Sequence, residues 1–206
     1  MKKIPTLFER DWKGDRSRVI DAVNQECAWV FFGEGIATRK IDGACCMVRG
    51  GQFFKRRELR MLDAMPDGFE RADYDPLTER VYGWVPVGDG PEDQWFREAF
   101  TGADRWPDGT YELIGPKVQG NPERSRFHLM IRHGGKHGPS GPIEPQPPRD
   151  FAGLRAWMTD RDIEGIVWHH PDGRMAKLKL RDFGLRRQAT SKPAFSVEDD
   201  GPGRNK

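Results

Sequence analysis

Four short clusters in this chain carry side chains that could do chemistry. The first is Lys40-Ile41-Asp42-Gly43. On a strand, residues two apart face the same way, so Lys40 and Asp42 are expected to present an amine and a carboxylate together. Gly43 lets the backbone turn there or approach a ligand closely. A lysine amine becomes a nucleophile when burial and neighbouring cations favour its neutral form. Alone the tetrapeptide says little: with 11 Lys, 19 Asp and 24 Gly in 206 residues, roughly one such chain in ten contains K-x-D-G by chance.

The second cluster is Tyr111-Glu112-Leu113-Ile114-Gly115, a single acid in an apolar strand pattern. Its carboxylate either faces solvent or points into a site that needs a metal or a ribose partner. The third is Glu164-Gly165-Ile166-Val167-Trp168, which leads into Lys177-Leu178-Lys179. Lys177 and Lys179 share one strand face. Two ammonium groups there repel unless something anionic, such as a triphosphate, lies between them; the alternative is a solvated sheet face. The fourth is Lys55-Arg56-Arg57, either a solvated edge or a set of phosphate and sugar contacts. His169-His170 read as turn residues. Cys45-Cys46 lack the CxxC spacing of a zinc site and read as core thiols.

The elements that must position these residues are mainly strands. Segments 28–32, 36–49, 110–114 and 126–132 are rich in β-branched and aromatic residues or alternate, and segments 163–168 and 174–180 flank a turn containing Asp-Gly. Val19, Ile20, Val23 and Cys27 share one helical face, and Trp95, Phe96, Ala99 and Phe100 share another. Asp150 is placed to cap a helix bearing Leu154, Trp157 and Met158. Residues 134–149 are dense in Gly and Pro and read as a surface loop. The whole is α+β and mostly antiparallel, with one domain over 1–187 and a disordered tail over 188–206.

Composition sets outer bounds. A net charge of +2, from 34 Lys+Arg against 32 Asp+Glu, excludes a histone-like polycation but allows a local basic groove. Three cysteines, two of them adjacent, cannot all pair within the chain and read as reduced thiols. No apolar run approaches the ~18 residues a membrane span needs, and no apolar signal core follows Lys2 and Lys3. A cytoplasmic protein without membrane partners is expected.

Taken in order, K-x-D-G, an acidic strand, E-G-I-V and K-L-K resemble motifs I, III, IV and V of the covalent nucleotidyltransferases, the polynucleotide ligases and mRNA capping enzymes. The spacing suits them: Glu112 lies 72 residues after Lys40, Glu164 another 52 on, and Lys177 another 13. The runs TYELIGPKVQGNP and IEGIVWHHPDGRMAKLKLRDFG look most like the ATP-dependent RNA ligase branch. The resemblance covers about 38–180. It implies an antiparallel-sheet nucleotidyltransferase domain of the ATP-grasp-like ligase type. It further implies that Lys40 attacks the α-phosphate of ATP to form a lysyl–AMP intermediate, with Asp42 and Gly43 completing the motif. Glu112 would contact ribose or organise metal, Glu164 would hold Mg2+ or Mn2+, and Lys177 and Lys179 would grip the α-phosphate and departing pyrophosphate. Arg56 and Arg57, or Lys55 beside them, would supply a further cation, and Phe127 would stack on adenine. The implied partner is RNA bearing 5′-phosphate and 3′-hydroxyl ends, with Arg10, Lys13, Arg16 and Arg18 either contacting nucleic acid or lining a solvated helix.

Only 26 residues follow Leu180, so no C-terminal OB-fold is expected, unlike the usual DNA ligases and capping enzymes. The same residues leave open a DNA ligase, an enzyme passing AMP to another acceptor, or a non-catalytic nucleotide-binding relic.

Overall fold

The computed structural model describes residues 2–101, 106–136 and 138–187. The expected tail over 188–206 lies outside the described residues. Eleven strands occur among them: β1 (Phe8–Arg10), β2 (Val19–Val23), β3 (Ile36–Lys40), β4 (Ala44–Arg49), β5 (Gln52–Arg60), β6 (Glu70–Asp75), β7 (Arg80–Pro86), β8 (Gly109–Ile114), β9 (Leu129–Arg132), β10 (Gly165–His169) and β11 (Met175–Lys179). Two short α-helices, α1 (Gln94–Ala99) and α2 (Phe151–Met158), join them. The architecture is α+β and antiparallel in all the strand pairs described, as the residue pattern implies. No helix among the described residues is long and apolar enough to cross a membrane.

The described chain divides into two compact units. One comprises residues 4–41 and 134–187; the other comprises 2–3 and 42–133. The first holds a three-stranded sheet in the order β11-β10-β3 and the ribbon β1-β2. One sheet face is apolar: Ala37, Ile166, Trp168, Ala176 and Leu178 are fully buried with Leu7, Cys27, Val30, Leu154 and Met158. Burying each large side chain of this kind contributes about 1.5–3 kcal/mol, so this face anchors the sheet. Asp150 caps α2 by accepting a hydrogen bond from the Gly153 N–H at 2.7 Å, as its residue type predicts.

The Gly/Pro-rich segment 134–149 is not a detached loop. It runs along the free edge of β3, where the Ala37 N–H donates to Gln146 Oε1 (2.8 Å) and the Ile143 N–H to the Ala37 carbonyl (2.9 Å). Arg149 then donates to the carbonyls of Val30, Glu34 and Gly35. An unpaired sheet edge is thereby covered.

The second unit is a six-stranded sheet in the order β6-β7-β5-β4-β8-β9. One face packs Cys46, Val48, Phe53, Tyr111, Leu113 and Met130 against Phe96, Ala99 and Phe100 at α1. Lys55 points into this same face and is buried in an ion pair with Asp93.

Three local expectations are corrected. Segment 36–49 is two strands in two different sheets, β3 and β4, because the chain leaves the sheet after Lys40. Segment 19–27 is not one helix: Val19–Val23 is β2, paired with β1, and Gln25–Val30 is a 3-10 helix capped by Asn24, which takes in most of the expected strand at 28–32. The pairing partner at 8–10 outweighs a weak helical period. Residues 11–18, carrying Lys13, Arg16 and Arg18, form the turn between β1 and β2 rather than a helix face. Arg10 is committed within its own unit, 2.9 Å from Asp182.

Candidate active site

Strand register places the lysines of the small sheet. Lys40 on β3 pairs with Gly165 on β10, which pairs with Lys179 on β11. Residues directly opposite across an antiparallel pair share a face, so Lys40 and Lys179 flank a position with no side chain. Gly165 is required there: a Cβ would lie 2.2 Å from the Leu178 carbonyl oxygen. Lys177, two residues back, is on the same face as Lys179, while Ala176 and Leu178 point into the core. The same alternation that builds the core therefore aims both lysines away from it.

Glu164 immediately precedes the glycine and serves both amines. Its Oε2 lies 2.5 Å from Lys40 Nζ, and its Oε1 pairs with Lys179 Nζ. The Leu180 N–H donates to the Glu164 carbonyl at 2.9 Å, and the Lys179 N–H donates to Asp182 Oδ2 at 2.7 Å, so the backbone on both sides is held. Burial works to raise the Glu164 carboxyl, but Lys40 and Lys179 outweigh it and hold it below its ordinary range. The carboxylate is a counter-ion between two cations.

In the six-stranded unit, the residues after Lys40 are clamped by carboxylates. The Asp42 N–H donates to Glu123 Oε1 at 3.0 Å and the Gly43 N–H to Glu112 Oε1 at 3.1 Å, while Gln119 Nε2 donates to the Gly43 carbonyl. A Cβ on Gly43 would meet the Leu113 carbonyl oxygen at 2.2 Å, so the close approach that glycine permits here is to β8. Asp42 lies beyond the end of β3, and the two-residue strand argument for Lys40 and Asp42 does not apply. Glu123, 1 % exposed, and Gln119 were not singled out from sequence, because nothing in a Gly/Pro-rich turn marks which polar residue folds inward.

The other face of this sheet carries Glu112, which also meets His133 Nε2 at 3.0 Å through Oε2, with Cys45 beside them. Arg56 projects on this face too, its guanidinium 5.1 Å from the Tyr82 ring centre. Arg57 is exposed on the opposite side, and Lys55 is withdrawn by Asp93. Of the three cations Arg56 alone shares the Glu112 face. Phe127 is 57 % exposed, just ahead of β9. His169 is a strand residue whose Nε2 lies 3.1 Å from Thr38 Oγ1, not part of the turn.

The fold is antiparallel α+β, and its three-stranded sheet carries a lysine–glutamate–lysine cluster. Comparison with known proteins agrees in kind. Residues 100–194 match the family model for RNA ligase 1. The chain is similar to RNA ligase 1 of Danio rerio, with 32% identity over 85 residues covering 37% of this chain and 25% of that protein. It is similar to RNA ligase 1 of Mus musculus at 23% identity, covering 73% of this chain and 67% of the relative, and to that of Pongo abelii at 33% identity, covering 37% and 24%. The matches span about a quarter of the Danio rerio and Pongo abelii proteins and about two thirds of the mouse protein. The similarity is therefore to RNA ligase-type proteins.

Proposed function

We propose that this chain is an ATP-dependent RNA ligase acting through Lys40. The observation that carries the reading is one carboxylate, Glu164, bridging Lys40 and Lys179 across a glycine whose added Cβ would clash with the Leu178 carbonyl. A paired ammonium is not a nucleophile, so Lys40 must lose a proton and its contact with Glu164 before it attacks. The Lys40 nitrogen then bonds to the α-phosphorus of ATP as the bond to the β-phosphate breaks, and pyrophosphate leaves. Lys177 and Lys179 offset the charge that builds on the phosphates in this step. Arginine at position 40 could not serve, because a guanidinium stays protonated.

The Glu164 carboxylate is a hard oxygen donor, which fits Mg2+ or Mn2+ shared with substrate phosphates. Glu164 would hold such a cation, which would polarise a substrate phosphate. Glu112 stands with a thiol and an imidazole, softer donors than magnesium takes, and we assign the hard cation to Glu164. The Lys40-bound AMP is then passed to an RNA 5′-phosphate, and a neighbouring 3′-hydroxyl displaces it to close the phosphodiester. Similarity to RNA ligase 1 proteins supports RNA as the acceptor.

Intact mass after incubation with ATP and magnesium tests the first step. A gain of one AMP, lost in Lys40→Ala, is expected; no gain with either protein overturns the reading. Sealing of RNA-ended against all-DNA nicks tests the acceptor, and equal rates remove RNA from the proposal.

A further inference from the structure

The face of the six-stranded sheet opposite its core carries a second constellation of possible ligands. We propose that Cys45, Glu112 and His133 form a Zn2+ site. One ligand atom from each, the thiol sulfur, a carboxylate oxygen and an imidazole nitrogen, all lie within 4.8 Å of one another. Around a tetrahedral zinc with bonds of ~2.0–2.3 Å, donors stand ~3.5 Å apart, so the 3.0 Å His133–Glu112 contact would open slightly to admit the ion while the wider separations close. Strand register explains the convergence: Cys45 on β4 is directly opposite Glu112 on β8, and the His133 N–H continues the β8–β9 ladder by donating to the Thr110 carbonyl at 3.0 Å.

Two independent features make this more than an acid beside a histidine. The donors are already oriented from behind, as metal ligands are. Glu112 uses Oε1 to accept the Gly43 N–H, which leaves Oε2 turned toward His133. His133 Nδ1 lies 3.0 Å from Thr110 Oγ1, which fixes the ring and leaves Nε2 directed inward. The tautomer that donates Nδ1–H to Thr110 is the one that offers the Nε2 lone pair to a cation; the other places an Nε2–H on Glu112. The second feature is the donor set. Thiolate with imidazole selects zinc over magnesium or calcium, and three protein ligands leave a fourth position open. The carboxylate is 7 % exposed, whereas Cys45 and His133 are half-buried, so an ion has access from the ligand side.

The test needs no ATP and no RNA, and so fails or succeeds separately from the ligase reading. After equilibrium dialysis of the apo chain against Zn2+, one zinc per chain is expected by elemental mass spectrometry. Co2+ in its place should give a thiolate-to-cobalt charge-transfer band in the near ultraviolet, absent in Cys45→Ser and kept in Cys27→Ala. Thr110→Val, which leaves all three donors intact, should weaken zinc binding by about 10- to 100-fold. Zinc should also slow alkylation of Cys45 in the unaltered chain, with chelator restoring it, a readout that depends on no variant folding. A cobalt band that survives Cys45→Ser, or alkylation of Cys45 that zinc leaves unchanged, overturns the proposal.

Discussion

Replacing Glu164 by Gln removes one negative charge from between two lysines and leaves their side chains in place. In the native chain each ammonium sits against its own carboxylate oxygen, and the three side chains are only 15–20 % exposed. Two ammonium groups held roughly 6 Å apart at an effective dielectric of 20 repel by about 3 kcal/mol. Breaking a buried pair by deleting one partner typically costs about 3–5 kcal/mol, and the partial exposure here favours the lower end. The expected loss is therefore about 3 kcal/mol, or roughly 6–12 °C in Tm for a chain of this size. Urea unfolding of both proteins from pH 7 to pH 3 measures it. The pH arm has a definite sign. Glu164 is held below its ordinary value of 4.5 in the folded chain, by Lys40 and Lys179 against the opposing effect of burial. A depressed carboxyl contributes stability that is present above its unfolded value and lost as pH falls through the folded one. The gap between native and Glu164→Gln proteins should be constant above about pH 5.5 and close below 4.5. A gap that stays the same down to pH 3, or a variant as stable as the native chain at pH 7, would refute the bridging role.

Three further outcomes follow from the same structure. Lys40→Arg should keep the ion pair with Glu164 and stability within about 1 kcal/mol, yet show no AMP adduct by intact mass, since guanidinium cannot deprotonate; adduct formation in this variant would remove Lys40 as nucleophile. Gly165→Ala drives a Cβ to 2.2 Å from the Leu178 carbonyl, so a loss of about 1–3 kcal/mol or more in urea unfolding is expected. Lys55→Met leaves Asp93 buried and unpaired at a cost of about 3–5 kcal/mol, while Lys55→Met with Asp93→Leu should recover only part of it. Asp93 also accepts the Gly88 N–H at 2.7 Å, a bond the second change deletes; full additivity of the two losses would contradict the pairing.

Residue types and spacing by themselves determined much of this protein. Alternation in 175–179 sends Ala176 and Leu178 inward and Lys177 and Lys179 outward whatever the strand packs against, because the side-chain period of a strand is two. An Asp-Gly turn between two such segments makes a hairpin from local geometry alone, and Asp150 announces the start of α2. Strands β5, β6 and β7 were less legible: their charged stretches, as in Arg56 to Glu58, hide the alternation that burial would mark. What only the tertiary structure decided were the pairings between residues distant in sequence. Lys40 meets Glu164 across 124 positions, and Asp42 is held by Glu123 across 81. Lys55, one of three similar cations, is withdrawn because Asp93 happens to face it. Cys45, unremarkable beside Cys46, gains Glu112 and His133 as neighbours through strand register. Local periodicity is a property of consecutive residues and can be read from them, whereas the partner of a buried charge or thiol is set by which strands lie side by side.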